Sequence, residues 1–138
     1  MAPKVPHFHD GLLTGIVLGE NKATVFLRQS TGDEYTLTLS GLEILQMEDF
    51  RQGNIISMVE VVCGQFPYEH SGLDRLLPPP HPAAVKQYHD EHAAIIDRQI
   101  ARIATGDASL VLIVPSYGAD LLAICREVNL APRELNGS

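Results

Sequence analysis

Tryptophan is absent, and aromatic residues make up only 6% of the chain. That leaves little material for the stacked platforms that hold bases or sugars. Cysteine occurs twice, at Cys63 and Cys125, and neither belongs to a C-x-x-C pair. Metal-ribbon and dithiol redox motifs are therefore missing. Both cysteines have apolar neighbours (Val61 and Val62; Leu122 and Ile124), which predicts buried free thiols in a reducing compartment and points to the cytoplasm. Basic residues are few, ten against seventeen acids, for a net charge of −7. Residues 1–70 hold four bases and nine acids (−5), and residues 71–138 hold six and eight (−2). With no basic stripe, the main driving term for nucleic-acid binding is missing, and so is attraction to an anionic membrane. The ordinary role of such acidity is solubility; it also suits a basic protein partner. The longest apolar run, Leu110 to Pro115, is far too short to span a bilayer, and Met1 to His7 carries no apolar segment of a secretory signal. Glycine-rich phosphate loops are also missing: Gly11, Gly15 and Gly19 recur every four residues, which matches neither dinucleotide nor Walker spacing.

What is present is ordinary globular composition, 45% hydrophobic and 20% charged over 138 residues. Size scaling gives roughly 7,000 Å² of surface folded against about 22,000 Å² unfolded, enough burial for a core without a metal or disulfide staple. A single domain over 1–138 is expected, with a β-rich half (8–63), a proline-rich connector (78–82) and a mainly helical half (83–128).

In the first half, Leu12 to Leu18 is a β-rich run whose Gly11 and Gly15 predict a bulge or strong curvature. Gly19 to Lys22 is a turn, and Ala23 to Arg28 then places Ala23, Val25 and Leu27 on one face. After a second turn at Ser30 to Asp33, Glu34 to Ser40 alternates, with Tyr35, Leu37 and Leu39 inward and Thr36 and Thr38 outward. Leu42 to Phe50 reads as a short strand or irregular arm, and Arg51 to Asn54 as a third turn. Ile55 to Cys63 is apolar on both faces and reads as a central strand. Short connections predict antiparallel neighbours, in a curved meander of four or five strands.

In the second half, Leu73 to Leu77 suits a short helical turn. Pro78, Pro79, Pro80 and Pro82 form a stiff extended connector. Nothing breaks a helix from Ala83 to Ala104, and Thr105-Gly106 ends it. Leu110 to Val114 reads as a buried strand, Pro115 to Gly118 as a turn, and Ala119 to Val128 as a final helix, with 129–138 frayed. The predicted fold is therefore α+β: the meander, the long helix packed on it, and a C-terminal strand–turn–helix.

Candidate chemistry is sparse. On the long helix, Val85, His89, His92, Ile96, Ile100 and Ile103 form one stripe. His89 and His92, at i and i+3, can converge on one divalent metal ion, with a third ligand from His81, His7 or His9. The ordinary role of such a pair is partly buried imidazoles bonded to backbone or to a partner chain. His7 and His9 share one face if extended and sit beside Asp10, but a metallohydrolase needs further ligands. Ser116, after an apolar run and before a predicted helix, has the context of a nucleophile elbow; Val114 is too large for one, and helix capping is its ordinary role. No complete catalytic set is visible. The expected function is a noncatalytic binding or protein-interaction module, a homodimer in the cytoplasm. The alternatives are a small metal-dependent enzyme using His89 and His92, or a binder of a small apolar ligand. A helix of about 22 residues runs about 33 Å, longer than the ~17–20 Å of a typical strand, so one end is expected to overhang the sheet.

Overall fold

The computed structural model describes residues 4–67 and 72–133. The first three strands follow the sequence pattern. β1 (Leu12–Gly19), β2 (Lys22–Arg28) and β3 (Glu34–Ser40) form consecutive antiparallel hairpins. Ala23, Val25, Leu27, Leu37 and Leu39 are all buried, as their alternation requires. Tyr35, Thr36 and Thr38 are half-buried, because β3 has a neighbour on each side. The β1–β2 register shifts between Leu13 and Gly15, a bulge with Thr14 as the extra residue, next to the glycine.

The expectation of a four- or five-strand meander closed by a C-terminal helix is overturned. The sheet has eight antiparallel strands, in the order β4-β7-β6-β5-β1-β2-β3-β8. The arm at 42–50 contains β4 (Ile44–Glu48), and the apolar run after it is β5 (Asn54–Val62). Then come α1 (Leu73–Leu76), α2 (Lys86–Thr105), β6 (Ser109–Tyr117), β7 (Asp120–Cys125) and β8 (Glu127–Pro132). The segment 119–128, expected to be helical, thus holds all of β7 and the start of β8. Its Leu121, Ala123 and Cys125 enter one core cluster and its Leu122 and Ile124 another, so it is buried on both faces. A strand covered on both faces is apolar throughout and loses the alternation that marks it. Residues 129–132, expected to be frayed, pair with β3, and 134–138 lie outside the described residues.

The two ends of the strand order belong together. β4 continues β3, and β8 continues β7. Together they form one long antiparallel pair from Tyr35↔Pro132 to Glu48↔Asp120, bent at Gly41 and Arg126. Hydrogen bonds from Glu43 N–H to Ile124 O and from Arg126 N–H to Ser40 O carry the pairing across the bend. On the opposite side β1 meets β5 through Leu12↔Ile55 and Leu13↔Asn54. The sheet therefore curls on itself as a barrel around Leu13, Val25, Leu37, Val59, Ile113 and Leu121. Phe8 plugs the barrel beside Tyr35, edge-to-face at 5.3 Å. A second apolar cluster lies outside, where α1 and the C-terminal part of α2 cover Val62, Leu110, Leu112, Leu122 and Ile124.

Candidate functional site

α2 is held to the barrel at its C-terminal end. Ile103 is fully buried, and Ile96 and Ile100 are half-buried in the outer cluster. Arg102 grips Glu43, just before β4, with both terminal guanidinium nitrogens, Nη1 donating to Oε1 at 2.7 Å and Nη2 to Oε2 at 2.5 Å. That hydrogen bond from Arg102 holds the Glu43 carboxyl below its usual range, against the opposing effect of partial burial. Gly106 caps the helix in the left-handed conformation, at φ 88°. α1 is fastened in the same way, by Arg75 to Asp120 at 2.9 Å.

Towards the N-terminus the cover thins. Val85 is 61% exposed, Tyr88 56% and Ile95 36%. With His92, which is half-buried, they step by three, four and three residues, which makes one stripe of a helix. The sequence pattern placed Val85 and His92 on the stripe. It passed over Tyr88 and Ile95, which lie one position from His89 and Ile96 and belong to the adjoining row. Only the angle at which α2 meets the barrel shows which row faces solvent.

The histidines are distributed over separate places. His92 Nε2 donates to Leu77 O at 2.7 Å and ties α2 to the end of α1. His89 is half-buried one turn earlier. His81 Nδ1 accepts from Ala83 N–H, closing the turn before α2. His9 lies in the turn that Gly11 N–H closes on Phe8 O and not in an extended segment; its ring stacks on that of His7 at 5.9 Å, and its Nδ1 bonds Ser57 O. Among the described residues, no three His, Cys, Asp or Glu side chains gather closely enough to hold a metal. Ser116 lies in β6 and a strand follows it, so the helix it was expected to cap is not there.

Cys63 and Cys125 are free thiols. Burial, then the charge of Glu43, pushes the Cys125 thiol up to about 12, so it stays protonated and unreactive at neutral pH. No helix of the described residues is long and apolar enough to cross a membrane. No family model, curated protein or solved structure matches the chain. The barrel interior is filled by side chains, and the clefts lie at the surface: one of about 490 Å³ beside Leu12–Thr14 and residues 50–54, another of about 600 Å³ around Asn21, Glu43 and Arg126.

Proposed function

We propose that the chain is a noncatalytic protein-interaction module of the cytoplasm that self-associates through the overhanging end of α2. The observation that carries this reading is the graded burial of α2: fully buried at Ile103, largely bare at Val85 and Tyr88. An exposed row of aliphatic and aromatic side chains favours burial against a matching surface. A second copy supplies one, most simply by a two-fold that sets the two rows against each other. The free thiols accord with a reducing compartment.

Light scattering at micromolar concentration and neutral pH tests the reading. The expected mass is twice the 15.1 kDa of one chain, falling to one chain for Tyr88→Glu and Ile95→Glu. Both positions are solvent-exposed in the single chain, so these variants should fold. A monomer across the concentration range would end the homodimer reading.

A further inference from the structure

Four side chains of β1 and β4 point towards the barrel core and yet remain accessible. Leu18 stands opposite the fully buried Ala23, on the inward side of β1, but is 63% exposed. On β4, Leu45 and Met47 stand opposite the buried Ala123 and Leu121 and are only half-buried. Ile16, opposite Val25, is half-buried too.

The cause lies in the pairing. β1 pairs with β5 only at Leu12 and Leu13, so Thr14 to Gly19 are laddered to β2 alone. β4 is laddered to β7 alone. The two strands flank one opening and run antiparallel along it. At one end Leu42 N–H, just before β4, donates to Asn21 O, just past β1. At the other, Leu12–Thr14 share the 490 Å³ cleft with residues 50–54, just past β4. Among the described residues no ladder joins β1 to β4. The barrel wall therefore has a slot about one strand long. Its floor is Ile16, Leu45 and Met47, and one side is the backbone edge of β1. Gly19↔Lys22 flanks the hairpin turn, so by antiparallel alternation the N–H and C=O groups of Ile16 and Leu18 face the slot.

We propose that this slot receives an extended segment of a partner protein, added as a strand on the β1 edge, with apolar side chains at alternate positions and basic residues at its ends. The inference rests on the interaction-module reading but uses a surface separate from α2. An edge of outward N–H and C=O groups is satisfied by another backbone, and alternation delivers every second side chain to the apolar floor. The segment from Gly11 to Gly19 carries no charge, so the middle of the partner strand is expected to be uncharged. Glu20 at one end, with Glu48 and Asp49 at the other, outnumber Lys22 and Arg51 in a chain of net −7, which favours basic flanks. A second copy fits poorly. Its β1 brings β2 alongside, whereas the slot is walled on both sides, and one strand edge falls well short of the roughly 800 Å² per partner of a stable interface.

The test is to pan a library of random peptides, each about ten residues long, against the full chain, and to map amide hydrogen exchange with the enriched peptides. Enrichment of alternating apolar sequences with Lys or Arg at the ends is expected, with the amides of Ile16 and Leu18 slowed by about tenfold or more. Leu18→Asp, at an exposed position, should abolish this binding. Val17→Lys, whose side chain stands on the outer face opposite Thr24, should retain it. Failure to enrich any peptide overturns the proposal, as does binding that leaves the Ile16 and Leu18 amides unprotected or that survives Leu18→Asp. These outcomes leave the mass of the Tyr88 and Ile95 variants untouched, so the two readings fail separately.

Discussion

At the start of β5 the side chain of Asn54 is buried and joins three parts of the chain. Its Oδ1 accepts from Arg51 N–H at 2.7 Å and from Ala119 N–H at 2.9 Å, and its Nδ2 donates to Leu13 O at 3.2 Å. The loop after β4, the β6–β7 turn and β1 are thereby held at one point of the barrel rim. Gly118, at φ 87°, lies so close that a Cβ there would collide with Asn54 Oδ1. In the sequence Asn54 looks like the last residue of a surface turn; its burial is a product of closure. Asn54→Ala leaves two donors and one acceptor without their partner, two of the three bonds lying in buried surroundings. The expected cost is roughly 2–4 kcal/mol, read as a lower denaturation midpoint with an unchanged slope. A loss below about 0.5 kcal/mol would show that water replaces these bonds readily.

Among the elements, α2 shows how a helix can be well formed and only partly docked. Its own pattern supplies the stripe, while Ile103 and the Arg102–Glu43 pair anchor one end. The Glu43 carboxyl titrates below its ordinary value of 4.5 in the folded chain because Arg102 hydrogen-bonds its charged form. A lowered folded value means the stabilisation is complete above the unfolded value and is lost as pH falls through the folded one. The pair is partly solvent-exposed, so its worth at neutral pH is about 1 kcal/mol or less. Glu43→Gln should therefore melt below the parent chain at pH 7 and approach it at pH 3. An equal gap at both pH values would mean that the glutamate acts by packing and not by charge.

At the scale of the molecule, charge is arranged against polyanions. Among the described residues, seven of the basic side chains, Arg28, Arg51, Arg75, Lys86, Arg102, Arg126 and Arg133, stand within 4.0 Å of a carboxylate. Few cations are left to displace counterions from a phosphate backbone, and the net charge of −7 repels one. Duplex DNA at about 150 mM salt should accordingly show no submicromolar binding in a gel shift. A submicromolar shift would mean that a local basic surface outweighs the overall charge.

The elements bounded by strong local signals were legible in the sequence: β1 to β3 from their alternation and turns, β5 and β6 from their apolar runs, α2 from its period and its Gly106 stop. The stripe that leaves α2 bare at one end was legible too, apart from Tyr88 and Ile95, because periodicity fixes a row but not the angle at which a helix meets its support. Tertiary structure alone decided the rest. Asp120–Cys125 is apolar on both sides and composed of residues acceptable in a helix; it becomes a strand because the barrel interior covers one face and α1 and α2 cover the other. The pairing of β3–β4 with β7–β8 spans some eighty residues of sequence and has no local signature. Closure of that long pair turns the sheet into a barrel and leaves the slot between β1 and β4. An unpaired edge is a relation between distant strands, and neither strand records it in its own residues.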